Sequence, residues 1–415
     1  MPSATELSTH RPHTLVSDRL DEFLLRPAEA RPIVLEGQWL DEAHDGCWGA
    51  VDPASVLEGS ADALGELPRW FERQAQKHPD GAAIGFLAYE LARHLEPLRL
   101  ATYRSLPDVS FAYYPRVERL RVGRPPTPRP YGAVRIHSLV DFKMYCRAVE
   151  MIRSCIAAGD IYQANLTIPF GAELGDEPPE SIYHRLRRGG APFRAFLKTP
   201  ERTILSNSPE RFFGVAGNRI LASPIKGTIA RDLSDPERSR AALLSSEKDR
   251  AENLMIVDLL RNDLGRICSY ASIRGRLWET EVLPQLIHLV SHVEGTLRPG
   301  TGILEILRAL FPCGSITGAP KIRAMEILSE IEPTPRGISM GAIGIIRTAG
   351  GQDRCRMDFS VAIRTMVIEE GKALFNVGGG IVYDSDAASE YAEVMLKAQP
   401  LFEALGARET ASTRQ

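Results

Sequence analysis

The chain has 415 residues, 44% of them hydrophobic and 25% charged, which is ordinary globular usage with enough apolar material for a large core, in one large domain or two or three smaller ones. A net charge of −3 with no sustained basic patch argues against nucleic acid as the main partner. No apolar run is long enough to span a membrane, no signal-type segment opens the chain, and six cysteines are scattered without a CxxC, so a cytoplasmic protein with reduced thiols is expected.

In chain order, residues 1 to about 13 are polar, and Pro32-Ile33-Val34-Leu35 begins a strand. Pro68 to Gln76 reads as a short helix with its proline in the first turn. Glycines and small residues from Gly81 to Ala92 suggest tight core packing, with no chemistry in this first third. Arg124-Pro125-Pro126-Thr127-Pro128-Arg129-Pro130 is a proline-rich connector, dividing an N-terminal portion, 14–123, from a region 135–407. A helix then runs from Asp141 to Ala158 with Met144, Ala148, Met151, Ile152 and Cys155 as its apolar stripe, Gly159-Asp160 stops it, and Ile161 to Thr167 alternates as a strand.

Ser208-Pro209-Glu210-Arg211 and Ser223-Pro224-Ile225-Lys226-Gly227-Thr228 flank two apolar runs joined by Gly217-Asn218, the pattern of a β-hairpin. Folding about that turn brings Glu210 nearly opposite Lys226, at the ~5 Å spacing of cross-strand neighbours. At a surface such a pair is worth well under ~1 kcal/mol. The two prolines cannot donate ladder hydrogen bonds, so they place the pair where pairing ends, near a cavity.

Ser245 or Ser246 can cap a helix to about Asn262, on which Glu252 is in line with Met255, Ile256 and Leu259. A carboxylate on such a stripe needs a partner, a metal or a route to water. Asp258, Arg261 and Asp263 read as structural ion pairs. Pro284 to Gly295 alternates as a strand with His288, Val290 and His292 on one face, where a histidine is either a core hydrogen-bonding residue or part of a site. The loop Phe311 to Ala319 feeds a helix from about Pro320 to Glu330, a possible anion site, although the Gly-Lys-Ser/Thr order of a P-loop is absent. Met357, Phe359, Val361 and Ile363 alternate with Asp358, Ser360, Ala362 and Arg364 as a half-buried strand ending in an arginine, which suits carboxylate binding or a contact with Asp358. Gly378-Gly379-Gly380 permits close approach by a ligand, or a bulge. Asp386 caps the last helix, whose core stripe is Tyr391, Val394, Ala398, Leu401 and Leu405. Glu390, Glu393 and Lys397 cluster on the adjoining face, as a cation site or a solvated ion pair.

Taken together, the blocks Gly159 to Thr167, Ser208 to Phe213, Pro224 to Arg231, Lys248 to Arg266, Pro284 to Gly295, Gly314 to Glu326, Met357 to Thr365 and Gly378 to Lys397 resemble the chorismate-binding enzymes, the synthase subunits of the anthranilate, aminodeoxychorismate and isochorismate group. The resemblance implies an α+β fold of two large, mainly antiparallel sheets packed together, helices outside and the site between them. Within the family, anthranilate synthases usually carry alanine where Lys226 stands, and Pro224-Ile225-Lys226-Gly227-Thr228 resembles the aminodeoxychorismate branch.

That branch implies conversion of chorismate and ammonia to 4-amino-4-deoxychorismate, with Lys226 as nucleophile and Glu210 as general acid/base. It implies Mg²⁺ held by Glu252 and Glu393, with Glu390 beside them through water. Arg364 and backbone amides near Gly318 and Gly379 would hold the carboxylates, His288 would lie near the ring, and Thr228, Ala319, Gly378 and Lys397 would add substrate contacts. Ammonia would come from a separate glutamine amidotransferase subunit, and a separate lyase would make 4-aminobenzoate. The family often has tyrosine where Ser339 and Ile345 stand, so no phenol contact is expected there, and no tryptophan feedback is predicted. The alternatives are anthranilate synthase, isochorismate synthase and a catalytically idle chorismate-binding subunit.

Overall fold

In a computed structural model, the structure describes residues 16–17, 20–41, 46–103, 106–122, 134–283, 286–348 and 355–407. The proline-rich connector, both chain ends and the first two residues of the strand expected from Pro284 lie outside them. Among the described residues, two sheets of eleven and ten strands form, antiparallel apart from the pairing of Val16–Ser17 with Glu118–Leu120. Strands from both sides of the connector enter both sheets. Ile33–Gly37 pairs with Phe193–Lys198 in the first, and Ala82–Leu87 pairs with Ala342–Thr348 in the second.

The expected two-sheet architecture is what the chain adopts. Leu35, Trp39, Phe193 and Leu197 of the first sheet's side meet Ile84, Phe86, Ile343 and Ile345 of the second in one cluster. The outer faces are covered by helices, Leu64, Leu67 and Trp70 of Ala61–Lys77 on one and Val394, Ala398 and Leu401 of Ala387–Ala404 on the other. Each sheet is therefore buried on both faces. This is why Ala82–Leu87 and Val109–Tyr114 read as unbroken apolar or small runs rather than alternating ones. Among the described residues no helix is long and apolar enough to cross a membrane.

Several elements differ from the sequence expectation. The helix expected from Pro68 starts at Ala61 and carries Pro68 in its interior. Burial of Leu64, Leu67, Trp70 and Phe71 on one face outweighs the ~3 kcal/mol of an interior proline. The helix Phe142–Ala157 is capped by Asp141, which accepts from the Met144 N–H at 2.7 Å, but it buries Tyr145, Val149 and Ile152. Met144 and Met151 are 44% and 54% exposed, because Tyr145 turns inward against Tyr391, ring centroids 5.4 Å apart.

The strand expected to be half-buried, Cys355–Val361, buries Asp358 and Ser360 as well, since a sheet neighbour and a facing layer cover both sides. Asp358 pairs with Arg211 at 3.2 Å and accepts the Leu40 N–H at 2.7 Å, and is not the partner of Arg364. In the last helix, capped by Asp386 through the Ser389 N–H, Glu390 is buried and Tyr391 half-buried, so the acid rather than the phenol belongs to the inner face.

Candidate active site

One cleft, about 900 Å³ including its open mouth, is walled by strands of both sheets and by the helices Glu247–Gly265 and Ala387–Ala404. Glu210, Lys226, Thr228, His288, Arg364, Gly378, Lys397, Glu252, Glu390 and Glu393 all line it, so ten residues distant in sequence meet at one place.

The hairpin is the local device. Arg211–Ala216 pairs with Arg219–Ser223 about Gly217, whose φ of 63° favours glycine, and Arg211 lies opposite Ser223. The hairpin pairing stops at the prolines, with Glu210 level with Pro224 rather than opposite Lys226 as expected. Ile225–Ala230 instead turns to pair with Leu286–Thr296, with a break in register between Ile225 and Thr228, and both Glu210 and Lys226 line the cleft. Glu210 is 2% exposed and its Oε1 accepts from the Ser315 hydroxyl at 2.6 Å. Burial pushes its carboxyl up to about 7, against the Ser315 hydrogen bond, the Lys226 charge, the Ile225 N–H and the Lys397 charge, which pull the other way. Burial likewise lowers the Lys226 amine. Glu252, Glu210 and Glu393 oppose that shift and Lys397 reinforces it. Among the described residues the Lys226 amine has no hydrogen-bond or ion-pair partner.

The three glycines have separate reasons. A Cβ on Gly380 would lie 2.9 Å from Lys226 Nζ, so this glycine makes room for the lysine. A Cβ on Gly378 would strike the Leu166 carbonyl at 2.4 Å, so that position is fixed by the neighbouring strand. Gly379 does not line the cleft, although a Cβ there would sit 3.8 Å from both Glu390 and Lys397.

His288, 1% exposed, shares a hydrogen bond of 2.8 Å between Nδ1 and Thr228 Oγ1, its partner in strand register. Its Nε2 is buried without a partner. Burial first, then Arg364 and Lys397, hold its pKa well below the usual range, so the imidazole is neutral. Arg364 sits just past its strand with φ 49° and, among the described residues, has no anionic partner. Burial alone brings its pKa down to about 10. A half-buried guanidinium without a counter-ion is suited to receive a carboxylate.

At the other end, Lys248 bridges Glu390 at 3.3 Å and Glu252 at 4.0 Å, and Lys397 pairs with Glu393 at 2.7 Å. Ser385 donates to Glu390 at 2.7 Å. Burial raises the Glu252 carboxyl, helped by Glu390 and Glu393 against Lys226 and Lys248. For Glu393 burial also acts upward, but Lys397 and the other lysines prevail and hold it below the ordinary range. Among the described residues no three acid, histidine or cysteine groups are already spaced as a metal cage. Three carboxylates facing one cleft nevertheless offer the oxygen donors a hard divalent cation takes, often with water completing the shell.

Gly318 and Ala319 are not brought to the cleft. They pair with Ala164 and Gln163, and a Cβ on Gly318 would lie 2.3 Å from the Gln163 carbonyl, so strand packing explains the glycine. The helix Lys321–Ile331 likewise starts away from the site, with Lys321 tied to Asp263 at 2.8 Å and to the Leu310 carbonyl. The earlier part of that loop, Ser315 and Ile316, is what reaches the cleft. The sequence reading missed Ser315, Asn165, Asn376 and Lys248 as site residues. Lys248 had a signal, its i,i+4 spacing to Glu252; the others had none, because tertiary contacts alone bring them in.

A buried acid and a half-buried amine in one cleft, an uncompensated guanidinium and a group of carboxylates define the site of an enzyme acting on a small molecule. The chain belongs to the chorismate binding enzyme family, whose model matches residues 39–403. It is 38% identical over 384 residues to aminodeoxychorismate synthase component 1 of Salmonella typhimurium, covering 83% of this chain and 81% of that protein. The protein of the same name from Bacillus subtilis is 33% identical, covering 84% and 83%. Anthranilate synthase component 1 of Methanothermobacter thermautotrophicus is 34% identical, covering 82% and 78%. The crystal structure of anthranilate synthase component I from Streptococcus pneumoniae matches with a TM-score of 0.73 at 26% identity, covering 91% of this chain and 93% of that one.

Proposed function

We propose that the protein converts chorismate and ammonia to 4-amino-4-deoxychorismate. The observation that carries this reading is the placement of Lys226, unpartnered and with a lowered pKa, in the same cleft as Glu210. The names of the relatives from Salmonella typhimurium and Bacillus subtilis support it.

On this reading Arg364 holds a chorismate carboxylate. Lys226 attacks ring carbon 2 as a neutral amine, both conjugated ring double bonds shift, and the carbon–oxygen bond at carbon 4 breaks. Protonated Glu210 delivers its proton to the departing hydroxyl, which leaves as water. The secondary amine formed at carbon 2 loses a proton. Ammonia then adds at carbon 4, both double bonds shift back, and Lys226 departs with a proton returned to it. Without the lysine, ammonia has direct access to carbon 2, which is the anthranilate route. When bound by Glu252, Glu390 and Glu393, Mg²⁺ would offset the acid cluster and supply positive charge for a ring carboxylate. Ammonia comes from a separate glutamine amidotransferase subunit or from ammonium, and a separate lyase forms 4-aminobenzoate.

The test is product identity. The protein is incubated with chorismate, Mg²⁺ and ammonium, and products are separated by liquid chromatography with mass detection. Aminodeoxychorismate is expected; anthranilate or isochorismate as the product would overturn the reading.

A further inference from the structure

Behind the cleft, and not itself among its lining residues, lies a buried ion pair. Arg336 and Glu332, with side chains 2% and 7% exposed, meet as two parallel hydrogen bonds, Nε to Oε2 and Nη2 to Oε1, each 2.8 Å. The remaining donors are aimed at backbone. Nη1 donates to the Ile316 carbonyl at 2.8 Å and Nη2 to the Asn165 carbonyl at 2.7 Å. Glu332 Oε1 also accepts both the N–H and the hydroxyl of Thr167, each at 2.9 Å. The guanidinium lies over the Tyr89 ring, 4.5 Å from its centroid, and Glu90 accepts the Arg336 N–H at 2.7 Å.

Asn165 and Ile316 line the cleft, and Ile316 follows the Ser315 whose hydroxyl holds Glu210. We infer that Arg336 and Glu332 are positioning residues for the reaction, clamping the 314–317 loop to the strand Gln163–Glu173 so that Ser315 is held against Glu210. A lysine cannot replace this arginine, because one ammonium cannot span two carbonyls from two elements while forking onto a carboxylate. The inference rests on the proposed role of Glu210 as the acid.

The test is a double-mutant cycle of Arg336→Lys and Ser315→Ala, with turnover of chorismate and ammonium as the readout. Alone, Arg336→Lys lowers kcat by about 100-fold, the cost of a misplacement of order 1 Å, with KM changed less than about threefold. In the Ser315→Ala background the same substitution adds less than about threefold, because the contact it maintains is already gone. Both single variants move the alkaline limb of the kcat profile to higher pH. Each weakens the one hydroxyl that favours the Glu210 carboxylate, while Lys226, Lys397, the Ile225 N–H and Cys313, the other groups facing it, are unchanged. Glu332→Gln, which keeps volume and the acceptor for Thr167, carries the same cycle should Arg336→Lys fail to fold. An equal loss in both backgrounds, a loss confined to KM, or an unchanged limb overturns the clamp. If Ser315→Ala itself leaves kcat and its profile unchanged, the clamp falls because the contact it maintains does not matter, whereas a silent Glu210→Gln would remove the acid role on which the inference rests. If Ser315→Ala slows the reaction and Arg336→Lys does not, only the clamp falls.

Discussion

Replacing Glu210 by glutamine separates the chemistry of the acid from its cost to the fold. Burial moves its carboxyl from 4.5 to about 7. At about 1.4 kcal/mol for each tenfold change in proton affinity, the difference is about 3 kcal/mol. The sign follows from proton counting. Between the two values the folded chain holds a proton that the unfolded chain has released, so stability falls as pH rises through this window. The contribution is fully present below pH 4.5 and lost above about 7. Glutamine keeps the shape and can still accept from Ser315, but does not titrate. Urea unfolding of the two proteins at pH 4.5 and pH 8 should therefore show the variant gaining about 3 kcal/mol relative to the parent across the window. In the same variant, turnover should drop about 10²- to 10⁴-fold, the usual share of a general acid. A stability difference that does not change between the two pH values would mean that Glu210 is not a buried, proton-holding carboxyl, and the argument for it as the acid would collapse.

Lys226→Ala should abolish the 4-amino product, and mass detection of an unchanged product would remove the lysine from the mechanism. Glu252→Gln should abolish Mg²⁺-dependent binding of chorismate in calorimetry; a normal titration refutes the metal assignment. Arg364→Met should weaken chorismate binding by about 10- to 100-fold, the worth of a charge-assisted hydrogen-bonded pair, read as a rise in KM. Gly380→Ala puts a methyl 2.9 Å from Lys226 Nζ and should lower kcat far more than Tm; equal effects on both would show that the glycine serves packing alone.

The chemistry-bearing residues were legible where local pattern carried them. The Gly217-Asn218 turn gave the hairpin, and the caps Ser246 and Asp386 start their helices as read. Family order of the motifs then gathered Glu252, Glu393 and Arg364. Gly318 misled because a glycine required by a neighbouring carbonyl looks, in sequence, like one required by a ligand.

Strong local signals in the sequence were enough for the capped helices and the hairpin. These depend on hydrogen bonds and turns within a few residues. Tertiary packing turns Tyr145 rather than Met144 inward, makes Pro68 tolerable inside a helix, and brings Ser315 rather than Gly318 to the cleft. It also bonds Arg336 to carbonyls 20 and 171 residues away. Burial, and with it the raised carboxyl of Glu210 and the lowered amine of Lys226, comes from two sheets and two helices closing over one point, and no stretch of chain encodes that by itself.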